Sequence, residues 1–235
     1  MFLCEIAEVL QSPHAMRTET VLILASGEWA GTSSLRSLVR SADFVIAADG
    51  GYAKARAHGI RVDEVVGDLD SIPESERGAL ASAGTPAVYP FPRDKDWTDL
   101  ELAVDHALRK NPARIVLFGV LGNRLDHALT AFHLLEKGVT ADVPIVLLAG
   151  DESVRLVHDD ATIVEAAIGD RVSLVPLSDA VVVTTSGLRF PLRGERLERS
   201  ASRGVSNEVE ELPVRIHVES GLVLVIHAPS EAIDD

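Results

Sequence analysis

Over its first 150 residues the chain alternates short apolar runs with segments of helical periodicity, and few folds accept that rhythm. Residues 21–25, 44–48, 62–66, 87–91, 114–118 and 144–148 each read as a short strand. Helical patterns fill the gaps at 32–40, 51–58, 73–84, from Thr98 onward, and at 125–137. Strands that are apolar on both faces belong inside a sheet covered by helices on both sides. Repeated βα units of this length predict a mostly parallel sheet in an α/β domain.

The best-marked helix begins at Thr98. Thr98 and Glu101 form the pattern of a capping box, and Leu100, Ala103, Val104, Ala107 and Leu108 make one apolar stripe. Beyond Gly150 the texture changes. Short β-rich stretches at 154–157, 162–166, 171–176, 181–185, 188–192, 214–218 and 222–226 alternate with turn signals such as Gly169-Asp170 and Ser220-Gly221. That pattern predicts a small antiparallel β-sandwich. The expected division is an N-terminal extension at 1–19, with Met16 as an alternative start, an α/β domain at 20–150 and a sandwich at 151–235.

Charge narrows the function. The chain has 22 basic and 36 acidic residues, for a net charge of −14. A general binder of nucleic acid or of membrane surfaces would normally show a basic face. Cys4 is the only cysteine, so an internal disulfide and a cysteine-rich zinc site are excluded. The start carries no signal-peptide pattern, and no apolar run approaches the ~20 residues of a membrane span. A soluble, cytoplasmic protein is expected.

Three acidic clusters carry the chemistry, and each follows a strand-like run. They are Asp49-Gly50-Gly51, Gly67-Asp68-Leu69-Asp70-Ser71, and the string from Asp94 through Lys95, Asp96, Trp97 and Thr98 to Asp99. In an open α/β sheet the loops leaving successive strand ends converge on one crevice, the usual ligand site. Carboxylates aimed at one crevice repel one another unless a hard cation such as Mg²⁺ lies among them. If the chain stays extended at Asp68 and Asp70, both side chains point the same way and can share that cation. Ser71 or its backbone could then receive a phosphate oxygen.

Local structure explains part of each string. Asp-Gly-Gly is also ordinary turn chemistry, and Thr98 and Asp99 suit a helix start without any ligand. Trp97 is read either as a stacking partner for an aromatic ligand or as an anchor for its loop. From Gly119 through Gly122, Asn123 and Arg124 to Asp126 and His127, a glycine turn presents a guanidinium suited to phosphate. There, Asp126 orients Arg124, or His127 contacts the nucleotide, or Asp126 simply caps a helix. Walker-A, GxSxG, GxGxxG and HExxH motifs are all missing.

The ordered set of strings resembles the thiamine pyrophosphokinase family. Downstream, Gly187-Leu188, the run from Gly204 through Ser206 and Asn207 to Glu208, and the close at Gly221 to Val225 are similar to that family's second domain. The resemblance spans about residues 20 to 227. It implies a Rossmann-like α/β domain, a C-terminal β-sandwich, and a homodimer with active sites at the subunit interface. It implies transfer of pyrophosphate from ATP to the thiamine hydroxyl, giving thiamine diphosphate and AMP, with Mg²⁺.

Carried over by motif, Asp68, Asp70 and Asp99 would hold the metal and, with Arg124, act on the reacting phosphates. Asp49, Gly50, Gly51, Lys95, Arg124 and His127 would bind ATP. Asp70, Thr98, Asp99, Ser206 and Asn207 would line the thiamine site. Two departures stand out: Asn123 replaces a common glycine, and a second-domain tryptophan of some relatives has no counterpart, since only Trp29 and Trp97 exist.

The resulting expectation is an in-line attack by the thiamine hydroxyl on the β-phosphorus, with Asp70 or Asp99 accepting the proton. Competing readings are a pyrophosphokinase for a hydroxymethyl pterin, a phosphatase with Asp68 as nucleophile, and a vitamin or nucleotide sensor without catalysis.

Overall fold

The computed structural model describes residues 19–29, 32–70, 72, 77, 86–159 and 161–230. Apart from Arg77, the helix expected at 73–84 lies outside the described residues, as do Ser71 and the extension before Glu19. The chain divides into two compact units after Gly150.

In the first unit six strands run parallel in the order β6-β5-β1-β2-β3-β4. They are β1 (Thr20–Leu24), β2 (Phe44–Ala48), β3 (Glu64–Gly67), β4 (Ala87–Pro90), β5 (Arg114–Phe118) and β6 (Ile145–Ala149). The helices are α1 (Thr32–Ser41), α2 (Gly51–Ala57), α3 (Asp99–Leu108) and α4 (Leu125–Ala141). Leu22, Ile23 and Leu24 of the central strand are fully buried. Each such side chain contributes about 1.5–3 kcal/mol through the apolar area withdrawn from water.

Strand order reverses between β1 and β5, so a crevice opens at their carboxyl ends. The two loops there clasp one another. The Gly27 and Glu28 amides donate to the carbonyls of Gly119 and Leu121, both at 2.6 Å. Trp29 donates from Nε1 to the Ala25 carbonyl and packs edge-on against Phe118.

Helix α4 runs to Ala141 instead of ending at Lys137. Gly138 does not stop it, because the glycine is where the helix presses on Val143 and Ile145. The left-handed Asp142 ends it instead. The α3 stripe also shifts: Leu102, Ala103, Val104 and Ala107 are buried, while Leu100 and Leu108 are half-buried.

The second unit contains two antiparallel sheets, β12-β9-β14-β7 and β11-β10-β13-β8. These strands are β7 (Glu152–His158), β8 (Ala161–Val164), β9 (Arg171–Pro176), β10 (Ala180–Ser186), β11 (Glu195–Glu198), β12 (Asn207–Glu208), β13 (Val214–Ser220) and β14 (Leu222–Ala228). Valine-rich inner faces form its core, among them Val172, Val181, Val183, Val218, Val223 and Val225.

The segment 188–192 is not the strand its pattern predicts. It folds back on Thr185, whose amide donates to the Leu192 carbonyl while its Oγ1 accepts from the Leu192 amide, each at 2.9 Å. Leu188 and Leu192 turn inward and Phe190 outward, which mimics strand alternation without a ladder. The strands actually formed are β11 and β12. Both are charged or short and carry little apolar periodicity.

Candidate active site

Asp49 sits just past β2, Asp68 just past β3, and Asp99 opens α3 after the loop from β4. Carboxylate oxygens of these three residues lie within 4.8 Å of one another. The backbone is built for that approach. Asp49 has φ +40°, Gly67 +148° and Leu69 +62°, all in the region side chains rarely adopt. A β-carbon on Gly67 would come within 2.9 Å of both Asp49 Cβ and Asp99 Oδ1. Only glycine lets the carboxylates close on one another.

The sequence expectation grouped Asp68, Asp70 and Asp99; the geometry gathers Asp49 in place of Asp70. The reason is local. The chain is not extended through 68–70, because left-handed Leu69 turns it, and the Asp70 amide donates to Asp68 Oδ1 at 3.0 Å. This is an Asx turn, a habit of aspartate that the sequence could have suggested. The Asp70 carboxylate ends up half-exposed, 3.5 Å from the Arg93 Nε.

Lys95 lies inside the cluster with a side chain only 8 % exposed. Its Nζ donates to Asp68 Oδ2 at 3.0 Å and stands 3.1 Å from Asp99 Oδ1. Burial disfavours the ammonium, but the two carboxylates outweigh it and hold Lys95 above its ordinary pKa. Burial likewise opposes ionised Asp68, and the Asp70 amide and Lys95 outweigh it, keeping that carboxyl below its ordinary value. Asp99 Oδ1 is buried, and its approach to Lys95 falls short of hydrogen-bond geometry. Hard oxygen donors within 4.8 Å of one another and a buried Asp99 acceptor without a hydrogen bond both fit a divalent cation.

The remaining predicted residues are distributed around this cluster and in the second unit. Thr98 caps α3, its Oγ1 accepting from the Glu101 amide at 3.2 Å. The other half of the capping box is not made: Glu101 pairs with Lys137 of α4 at 3.0 Å. Gly50 is the N-cap of α2, and Gly51 packs where a side chain would collide with the Leu24 carbonyl. Arg124 forms a two-pronged pair with Asp126, Nε to Oδ1 at 3.0 Å and Nη2 to Oδ2 at 2.7 Å. Asp126 is therefore not the cap of α4; Arg124 holds that position without a side-chain bond. The hydrogen bond between them drives the Asp126 carboxyl far down and the guanidinium up. His127 is exposed in the first turn of α4, and Trp97 is 54 % exposed, so it does not anchor its loop in the core.

Comparison with known proteins decides the family. The family model for the thiamin pyrophosphokinase catalytic domain matches residues 35–147, and the one for its vitamin B1 binding domain matches 161–223. A thiamine pyrophosphokinase of Bacillus subtilis is 30 % identical over 212 residues, covering 89 % of this chain and 99 % of that protein. The chain belongs to the thiamin pyrophosphokinase family. The crystal structure of thiamine pyrophosphokinase from Bacillus subtilis has a TM-score of 0.78 at 28 % identity, covering 90 % of this chain and 99 % of that one. Thiamin pyrophosphokinase from Geobacillus thermodenitrificans has a TM-score of 0.76 at 26 % identity, covering 89 % and 97 %. All three acidic loops fall within the catalytic-domain match.

The two thiamin pyrophosphokinase positions carried over in the second unit, Ser206 and Asn207, differ in freedom. The Asn207 side chain is 8 % exposed and engaged with backbone: Oδ1 accepts from the Phe190 and Glu208 amides, and Nδ2 donates to the Phe190 carbonyl. Left-handed Ser206 donates its amide to Ser173 Oγ and is exposed. Asn207 thus fixes the turn, while Ser206 presents itself to solvent.

Proposed function

We propose that the Asp49–Asp68–Asp99 trio is the metal–nucleotide site for moving pyrophosphate from ATP to the thiamine hydroxyl, giving thiamine diphosphate and AMP. The reaction is that of the family; the geometry supports the following division of labour. Asp49, Asp68 and Asp99 would hold Mg²⁺, which when bound supplies neutralisation of the triphosphate's negative charge. Gly50 and Gly51 open the loop that holds Asp49, and Gly67 keeps the trio close. Arg124, oriented by Asp126, offers a planar fork to phosphate oxygens, with His127 beside it. Lys95 adds a compact positive charge. Because the chemistry is mostly positioning and charge stabilisation, these fixed groups account for the catalysis without a covalent intermediate.

Of the two carboxylates open for taking the hydroxyl proton, Asp70 is the one outside the trio, and we assign the proton to it. The Asp70 carboxylate sits at the rim, where a cationic thiazolium is also favoured. Thr98 is committed to its helix cap and shapes the rim, and Trp97 offers an exposed aromatic face to the vitamin. By the family motif we also assign Ser206 as a thiamine contact, with Asn207 holding the turn it sits on. We also infer a homodimer, which light scattering in solution tests directly.

One observation carries this reading: three carboxylates meet at strand ends in a chain that matches both family domains. The test is a product assay with thiamine, ATP and Mg²⁺. Equal amounts of AMP and thiamine diphosphate are expected. ADP with thiamine monophosphate, or turnover of a hydroxymethyl pterin but not of thiamine, would overturn it.

A further inference from the structure

Lys95 stands against two of the three carboxylates that we propose hold the metal ion. Its ammonium contacts Asp68 Oδ2 and Asp99 Oδ1, two carboxylates of the trio, and its side chain is almost wholly withdrawn from water. Mg²⁺ binds oxygens at about 2.0–2.1 Å and in strict octahedral geometry. A metal ion drawing on these carboxylates would stand a few ångströms from the ammonium, and two cations so close in a poorly solvated space repel one another. Without either cation, three carboxylates within 4.8 Å would repel one another. Lysine suits a movable counter-charge, being a point charge on a flexible four-carbon stem. Its loop is also the one that carries Asp99, four residues on.

We propose that Lys95 is an internal counter-cation that holds the trio together in the metal-free protein and leaves it when the metal enters. Its ammonium then turns to the polyphosphate that arrives with the metal. Metal loading and delivery of the phosphate-binding lysine become one event. This inference rests on the reading of the trio as the metal site.

Two measurements on the full chain test it. The first is acetylation of lysines by an amine-reactive ester, read by peptide mass spectrometry, with Lys110 as internal control because its partner Glu64 lies in a separate network. Mg²⁺ alone should raise labelling of Lys95 at least threefold relative to Lys110, and ATP with Mg²⁺ should reverse it. The second is Mn²⁺ titration, followed by electron paramagnetic resonance without nucleotide. Lys95→Met should bind Mn²⁺ about tenfold more tightly than the wild type while its KM for ATP rises about tenfold. If Mn²⁺ binds the wild type but Lys95 labelling does not rise, the lysine is a fixed strut and the proposal fails while the metal site stands. If neither protein binds Mn²⁺, the metal reading itself fails.

Discussion

Strand β3 has a buried acidic group at its start and a half-buried one just past its end, and the two are treated in opposite ways. At the amino end Glu64 is 7 % exposed and surrounded by donors. His106 Nε2 lies 2.7 Å from Oε2, Lys110 Nζ 2.8 Å from Oε1, and Tyr89 reaches Oε1 at 3.3 Å. Lys110 also sits over the Phe44 ring. At the carboxyl end Asp68 joins Asp49 and Asp99, and Lys95 lies against two of the three. A saturated buried carboxylate is architecture. The group of three at the ligand-binding edge of a parallel sheet is the one we propose as a cation site.

The largest effect that would break this contrast is on turnover. Asp68→Asn or Asp99→Asn should lower kcat for AMP formation roughly 100- to 1,000-fold, the scale for removing one fixed charge-stabilising group. The thermal midpoint of Asp68→Asn without metal should be slightly lower at neutral pH, since the variant loses the charge that Lys95 and the Asp70 amide favour. Gly67→Ala comes next: its β-carbon would meet Asp49 Cβ and Asp99 Oδ1 at 2.9 Å, so kcat should fall about 100-fold with about 1–3 kcal/mol of stability lost. Glu64→Gln should do the reverse. Breaking a saturated buried network costs about 3–5 kcal/mol in denaturant unfolding, and kcat should stay within about twofold of the wild type.

The smallest effect concerns acid, and it extends the contrast to the second unit. Asp170 is 1 % exposed and accepts from the Ala167 and Ser230 amides at 2.7 and 2.8 Å, with His227 Nε2 at 2.7 Å. Burial opposes its charge, but these bonds win and hold the carboxyl below its ordinary value. A depressed folded pKa stabilises the protein above the unfolded value, about 3.9, and that stability is lost as pH falls from there through the folded value. Unfolding followed from pH 5 downward should therefore be less steep in Asp170→Asn. Equal slopes would show that Asp170 contributes nothing to acid sensitivity.

Much of the first unit was legible because buried parallel strands announce themselves as continuous apolar runs. Phe44–Ala48 and Arg114–Phe118 coincide with the runs that predict them. Glu64 was hidden in such a run, as one charge among valines gives no sign of partners 25 to 46 residues away. The acidic loops were legible as a set, but their internal grouping was not. An i, i+2 spacing predicts a shared direction only for extended chain, and Leu69 is left-handed. The partnership of Asp49 with Asp99 depends on tertiary packing over Gly67, which spacing cannot show. In the second unit the alternation at 188–192 misled because a folded-back loop also buries every second apolar group.

In the site we propose, Asp49 and not Asp70 is the third carboxylate on the cation. Counting bound Mn²⁺ by electron paramagnetic resonance in Asp49→Asn and Asp70→Asn tests it most directly. The account predicts that Asp49→Asn loses the bound ion and that Asp70→Asn keeps it while kcat falls. Retention in Asp49→Asn with loss in Asp70→Asn would contradict it.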